Sequence, residues 1–172
     1  LAYEKFKANF GIDGMMVVIA TDEPEFYTES RFNAWLELAD SLKNIKVNVS
    51  ETETPHFKCV VDSIFSEAHL YNIIKDKSNS KFAHKEIINQ HPLSQLQVDS
   101  VKKIIKNLEF YNNIVYKDSS ALHFMMLFLN KDIFNSNNRG TLIEDIRSKA
   151  LSYSNYFSHL KFSGLPFIRS VM

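Results

Sequence analysis

The first third of the chain contains a short hydrophobic run followed by a helical stripe. Residues 15–21, MMVVIAT, include six apolar residues and lie between Gly14 and the acidic stretch that starts at Asp22. Such a run predicts a buried strand that is apolar on both faces. Apolar residues then recur every three or four positions up to about Asn44, which predicts an amphipathic helix that begins near Pro24.

The middle of the chain begins with a strand and continues into a segment of different character. Residues 46–55 alternate only weakly, whereas residues 57–65, FKCVVDSIF, predict the next strand. Residues 66–110 are too apolar for a linker, and we interpret them as a helical insertion between the second and third core strands. Within it we predict a short helical piece at residues 67–75, a polar surface loop, KDKSNSK, and a longer helix at residues 94–108.

The pattern of the last third predicts a β-hairpin, a helix and a final strand. Residues 113–130 contain two strand-like runs separated by Asp-Ser-Ser at residues 118–120, which favours a turn. In the second run, residues 121–129, apolar side chains occupy most positions on both faces, so we expect both faces to be mostly buried. Helical spacing returns at residues 141–157, and HLKF at residues 159–162 predicts the last strand.

Without the insertion, the predicted order is strand, helix, strand, strand, helix, strand. This β-α-β-β-α-β order is typical of the ferredoxin-like split motif, in which two helices pack on one face of an antiparallel sheet. We therefore predict an α+β fold and a single domain that covers residues 1–172, with no internal repeat.

Composition and charge narrow the class of protein. Hydrophobic residues make up 45% and charged residues 23%, which is typical of a globular chain that buries its own core. Twenty basic and twenty acidic residues give a net charge of zero, which argues against a general nucleic-acid binder. We expect dilute lysine pairs such as Lys102 and Lys103 on a solvated face. No stretch reaches the ~20 apolar residues of a membrane span, and we do not expect a signal peptide in the segment that opens the chain.

Candidate catalytic and metal-binding residues are sparse. Cys59 is the single cysteine, which excludes an intrachain disulfide, and its apolar, strand-like neighbours predict a buried thiol. The six histidines are scattered, and none lies four residues from another on a predicted helix, so the helical zinc-site spacing is absent. His123 lies in mid-strand among apolar residues, and we expect a core or sheet-edge histidine with a partner, rather than a ligand or a base.

The acidic residues Asp22, Glu23 and Glu25 follow the first predicted strand. They could hold a hard cation, but acidic side chains are also favoured at a helix start, and we interpret them as a helix cap. No Gly-x-Ser-x-Gly motif is present, and the four glycines form no phosphate-binding loop. The sequence therefore predicts no catalytic, cofactor-binding or metal-binding residue, and it indicates a protein that is not an enzyme.

Aromatic content is the remaining feature of the composition. Fourteen Phe, seven Tyr and one Trp make up 13% of the chain. A phenylalanine-rich core would account for this content. The alternative, that part of the surface faces apolar ligands or a partner, stays open.

Four segments, taken in order, resemble a domain of membrane exporters. FKANFGIDGMMVVIA, with Phe10, Gly11 and Asp13 before the first strand, resembles the segment after the first transmembrane helix in transporters of the resistance–nodulation–division (RND) superfamily. VVDSIFSEAHLYNII and FLNKDIFNSNNRGTLIEDIR are similar to later strand and helix-start segments of that family. HLKFSGLPFIRSVM resembles the final strand and its exit toward the second transmembrane helix. The closest likeness is to the MmpL-like exporters.

The resemblance implies a porter-like extracytoplasmic domain on the periplasmic side of a bacterial inner membrane. It implies proton-driven export of hydrophobic or amphiphilic compounds, with the rest of the same chain and a second similar loop domain as partners. The proton-carrying residues of the family lie in transmembrane helices, so none is transferred to this chain. Aromatic and methionine side chains would line a substrate cleft. Because the chain starts on Leu1 and closes on an apolar segment, we expect it to be part of a longer protein.

Two other classes of protein stay open. The first is a free-standing ferredoxin-like domain that binds a small molecule or regulates a partner, and it would have its own start methionine and a polar terminus. The second is an enzyme that uses His123 or the acidic strand end, and it would need a clustered polar site that the spacing does not offer.

Overall fold

A computed structural model of the chain describes residues 15–50, 54–76, 81–134 and 139–171. Its strands are β1 (Met16–Thr21), β2 (Lys46–Asn48), β3 (Phe57–Cys59), β4 (Val61–Ser66), β5 (Tyr71–Asp76), β6 (Lys81–Glu86), β7 (Tyr116–Lys117), β8 (Leu122–Leu129) and β9 (Lys161–Ser163). Its helices are α1 (Glu29–Lys43), α2 (Gln95–Lys106), α3 (Lys131–Phe134), α4 (Arg139–Leu151) and α5 (Leu165–Val171). Short 3-10 turns cover Glu67–His69, Glu109–Tyr111 and Asp118–Ser120.

Within the part of the chain that the structure describes, five strands form the main sheet, and their strand pairings are antiparallel. The order across the sheet is β4-β8-β1-β9, and β7 pairs with the start of β8. β2 pairs with β3 and β5 pairs with β6 in two separate two-stranded ribbons. The predicted α+β class, with an antiparallel sheet and helices, is therefore confirmed.

Helices pack against one face of the main sheet, and the hydrophobic core lies between the helices and this face. α1 contacts β4 and α4, and α5 contacts β1 and α4. Alternate residues of β8 are buried on this face: His123, Met125, Leu127 and Leu129. The apolar side of α1 covers them with fully buried side chains that include Phe32, Trp35, Leu38 and Leu42. This amphipathic arrangement accounts for the helical stripe in the sequence.

The other face of the main sheet, called here the open sheet face, is largely apolar but only partly covered. The strand register also places Ser63, Lys161 and Ser163 on this face, and its larger apolar residues are Met16, Val18, Phe65, Leu122, Phe124, Met126 and Phe128. Met16 is 36% exposed and Phe128 is 42% exposed, and the other larger apolar residues of this face are half-buried. The prediction that both faces of β8 are mostly buried holds fully only for the face that α1, α4 and α5 cover, since on the open sheet face Leu122, Phe124 and Met126 are half-buried and Phe128 is exposed.

The helix boundaries differ from the predictions at the start of α1 and at the end of α4. α1 begins at Glu29, not near Pro24, because residues 24–27 form a turn. α2 agrees with the prediction within two residues, since Ser94 and Gln97 form a capping box at its start. α4 ends at Leu151, and turns continue through residue 156 where more helix was predicted.

The interpretation of residues 66–110 as a helical insertion is wrong for its first half. After the 3-10 turn Glu67–His69, the chain forms the β5–β6 hairpin. Tyr71 and the isoleucines that follow it favour a strand, and β6 supplies the hydrogen-bonding partner. β6 begins at the end of the predicted surface loop KDKSNSK, and residues 77–80 of that loop lie outside the described residues.

The predicted strand at residues 57–65 is divided between two sheets. β3 pairs with β2, Val60 is fully buried and donates its N–H to the Ile45 carbonyl, and β4 then joins the main sheet. Cys59 lies on the ribbon side of this division and is exposed. The prediction of a buried thiol is therefore wrong, because the apolar neighbours of Cys59 in sequence do not surround it in space.

The last strand is shifted slightly, and Gly164 fixes the turn that follows it. β9 covers Lys161–Ser163 instead of residues 159–162. Gly164 has a φ of 115°, and a Cβ atom there would lie 2.2 Å from the Met16 carbonyl oxygen. Glycine therefore lets the chain turn from β9 into α5 close to β1. Within the described ranges, no helix is both long enough and apolar enough to cross a membrane.

Candidate functional site

A buried polar network joins three parts of the chain at one end of the main sheet. Glu67 is fully buried in the 3-10 turn after β4. Its Oε1 lies 2.5 Å from Nδ1 of His123 on β8, and its Oε2 accepts a hydrogen bond from the Tyr27 hydroxyl. His123 is 5% exposed. As predicted, His123 is a core histidine with a hydrogen-bond partner.

Aromatic rings enclose this Tyr27–Glu67–His123 network. The Phe26 ring stacks on the His123 ring with centroids 3.6 Å apart, and the Tyr27 ring meets His123 edge-on at 5.5 Å. Both carboxylate oxygens of Glu67 have protein partners, and the rings keep water from them. A buried network that is satisfied in this way stabilises a unique core. We therefore assign the network a structural role.

Two lysines of α2 lie over the outer part of the network. Nζ of Lys102 is 5.1 Å and Nζ of Lys106 is 5.8 Å from the centroid of the Tyr27 ring. Cations over an aromatic face are favourable. Lys102 and Lys103 are exposed, as predicted for a solvated face.

A second polar site, called here the His69 pocket, lies between α1, the Glu67–His69 turn and the β5–β6 hairpin. Its cavity is about 230 Å³ in volume. The polar and aromatic side chains that line it include Asp40, His69, Tyr71, Glu86 and His91, and the apolar ones include Leu36, Leu70 and Ile88. Sequence spacing left the histidines scattered, whereas the fold brings His69 and His91 to one cavity.

His69 is held in the wall of this pocket by hydrogen bonding and partial burial. Its Nδ1 lies 3.1 Å from Oγ of Ser66, which also accepts a hydrogen bond from the Ala68 N–H. Burial lowers the pKa of His69, and the carboxylates of Asp40 and Glu86 oppose this effect. The net pKa lies below its ordinary value of 6.5. The neutral imidazole is therefore the form that the folded chain favours.

The second histidine of the pocket is paired with a carboxylate. Nε2 of His91 lies 2.9 Å from Oδ2 of Asp40, and the two side chains are 42% and 51% exposed. An exposed pair of this kind contributes little to stability, so either group is able to exchange its partner for a ligand.

The acidic residues after β1 have partners within the chain. Oδ2 of Asp22 lies 2.7 Å from Nζ of Lys161, and this hydrogen bond is the main cause that lowers the pKa of Asp22. Burial raises the pKa of Glu23, but hydrogen bonds from the Ser158 N–H and hydroxyl, both 2.6 Å long, contribute to a net pKa below its ordinary value. These residues therefore connect the end of β1 to β9 and to the segment just before it.

The interpretation of Asp22, Glu23 and Glu25 as a helix cap is wrong, because α1 begins only at Glu29. Glu25 instead forms an ion pair with Arg31, with Oε2 and Nη1 3.0 Å apart. Across the described residues, no group of three or more His, Cys, Asp or Glu side chains could hold a metal ion.

Few features of the sequence predict either site. Glu67 lies in the apolar stretch SIFSEAHL, and an acid in such a stretch is a signal for a buried, paired carboxylate. The predicted helix at residues 67–75 does not determine whether the Glu67 side chain points into the core or into solvent. The pocket depends on residues far apart in the chain, so no local pattern could have predicted it.

Comparison with known proteins adds no relative. No protein-family model, no curated protein and no solved structure matches this chain. Phe10, Gly11 and Asp13, which carry the first part of the resemblance to RND transporters, lie outside the described residues.

Proposed function

We propose that this chain is a noncatalytic extracytoplasmic domain of a proton-driven RND-superfamily exporter of hydrophobic or amphiphilic compounds. The domain would lie on the periplasmic side of a bacterial inner membrane, between the first two transmembrane helices of an MmpL-like protein. Its partners would be the remainder of the same chain, which includes a second similar domain, and the adjoining membrane.

The observation that carries this proposal is the open sheet face. It presents methionine and aromatic side chains that are flexible or large, and such surfaces accept varied apolar ligands. Tyr111 extends the surface at one side, with its ring centroid 6.1 Å from that of Phe65, and the adjoining Phe110 is 76% exposed. The face would form one wall of a substrate cleft, and the second domain would form the other.

The finer fold assignment is part of the same proposal. We propose a ferredoxin-like β-α-β-β-α-β core of the kind found in porter domains, made of β1, α1, β4, β8, α4 and β9. The strand order β4-β8-β1-β9 supports it, since β8 lies between β1 and β4 as in a split β-α-β unit. The β5–β6 hairpin and α2 would be insertions between β4 and β8.

A lipophilic fluorescent probe tests the open sheet face. N-phenyl-1-naphthylamine is titrated into the chain, and we expect weak binding because only one wall of the cleft is present. Phe128→Asp should weaken it about fivefold, since a charge replaces a ring worth about 1 kcal/mol of contact. Leu96→Asp is the matched control, because Leu96 is 80% exposed on α2 and lies outside the open sheet face. Equal effects of the two variants would contradict the proposal.

The native gene separates the proposal from its alternative. Apolar stretches of about 20 residues shortly before Leu1 and shortly after Met172 are expected for an exporter domain. A start codon beside Leu1 and a stop codon after Met172 would instead leave a free-standing ferredoxin-like domain that binds a small molecule or regulates a partner. The His69 pocket favours that second candidate, because its cavity is formed within this chain.

A further inference from the structure

The His69 pocket carries an excess of negative charge around one cavity. Asp40 on α1 and Glu86 on β6 both line it, and both act electrostatically on His69. With both imidazoles neutral the lining carries two negative charges, and one remains if His91 is protonated against Asp40. Lys43 adds positive potential at His69 but is not part of the lining. An acidic cavity of this kind favours a cationic ligand over an anionic one.

The remaining walls favour a cation that has an organic body. Leu36, Leu70 and Ile88 line the cavity, and Tyr71 lies at the same site and is 44% exposed. Aliphatic side chains favour methyl and methylene groups, and an aromatic face attracts an ammonium group. A metal ion lacks a sufficient ligand set here, since no suitable group of three occurs in the described parts of the chain.

We propose that the His69 pocket binds a compact organic cation, an ammonium group that carries apolar substituents. Asp40 and Glu86 attract the charge, Tyr71 contacts the ammonium group, and the aliphatic side chains contact its substituents. The cavity volume of about 230 Å³ is large enough for a compact ligand of the size of choline. The inference does not depend on an exporter function, because the pocket is complete within this chain.

Choline and 3,3-dimethylbutan-1-ol are a matched pair of probes, because they have nearly the same shape and differ in charge. Each is titrated into the full 172-residue chain, and the NMR signals of Tyr71 and Ile88 are followed. We expect saturable binding of choline with a Kd of about 1 mM, and binding of the neutral probe at least about tenfold weaker.

Two variants test the carboxylates separately. Asp40→Asn and Glu86→Gln each remove one charge with little change of shape, and each should weaken choline binding about three- to tenfold without affecting the neutral probe. Glu144→Gln is the control, because it removes the same charge from an exposed residue of α4 outside the pocket. Thermal unfolding verifies that each variant is folded. If Asp40→Asn is unfolded, the result with Glu86→Gln decides the test.

Three outcomes would overturn the proposal. Equal binding of choline and its neutral analogue would indicate an apolar cavity without preference for charge. An equal loss with Glu144→Gln would attribute the effect to the net charge of the chain. The absence of saturation by choline or tetramethylammonium up to about 50 mM would exclude a site for this class of ligand.

Discussion

The two histidine–carboxylate sites both include a residue of the 3-10 turn Glu67–His69, but they differ in burial and in hydrogen-bond partners. Glu67 at the start of the turn is fully buried and has partners on both oxygens. His69 at the end of the turn lies in the wall of a cavity. The His91–Asp40 pair of the same cavity is about half exposed. Two positions along the chain therefore separate a core network from a candidate binding pocket.

Both sites contain the same residue types, so their different behaviour comes from solvent exposure and from hydrogen-bond partners. These two properties decide whether a histidine or a carboxylate stabilises the core or is able to bind a ligand. In the buried network, the loss of one partner would leave a polar group uncompensated at high cost. In the pocket, water competes for the exposed His91–Asp40 pair, so the loss of that pair costs little and a ligand can take its place.

The largest expected effect comes from removal of the central carboxylate of the network. Glu67→Ala leaves His123 and the Tyr27 hydroxyl without their partner in the core, and we expect a loss of about 3 kcal/mol of unfolding free energy. Urea unfolding at neutral pH measures it. Glu86→Ala, the same change at an exposed carboxylate of the pocket, should cost less than about 0.5 kcal/mol. Similar losses in the two variants would remove the distinction between the sites.

A smaller effect is expected from the pH dependence of His69. Its pKa is lowered in the folded chain, so as the pH falls below 6.5 the unfolded chain takes up a proton first. Stability from this group is therefore complete above pH 6.5 and is lost as the pH falls through the folded pKa. His69→Asn should remove this part of the acid destabilisation.

Urea unfolding of the chain and the variant, at several pH values between about 8 and 5, measures the difference. His56→Asn is the matched control, because it makes the same substitution at an exposed histidine. An unchanged pH slope in His69→Asn would show that protonation of His69 does not contribute to the stability of the fold.

The sequence predicted the elements whose pattern is strong over a sufficient length. β1, β8, α1 and α2 were found from continuous or periodic apolar positions, since burial of one side imposes that pattern. The β5–β6 hairpin was missed because its apolar residues fit a helix or a strand equally well, and only pairing with β6 decides between them.

Burial predicted from local neighbours was less reliable than the elements themselves. His123 and Cys59 both lie in apolar strand-like stretches, yet His123 is in the core and Cys59 is exposed. The difference is the sheet that each strand joins, since β8 lies inside the main sheet, whereas among the described residues β3 pairs only with β2. Strand pairing depends on residues outside the local stretch, and a local pattern contains no information about them.

The sequence by itself therefore determined the α+β class and the strongest helices and strands. These properties depend on the local spacing of apolar residues, which must match the period of the element that buries them. Only the tertiary structure decided the order β4-β8-β1-β9, the exposure of the open sheet face and the opposite environments of Glu67 and His69. Those depend on which distant segments pack together, and packing decides which polar groups lose contact with water and which keep it.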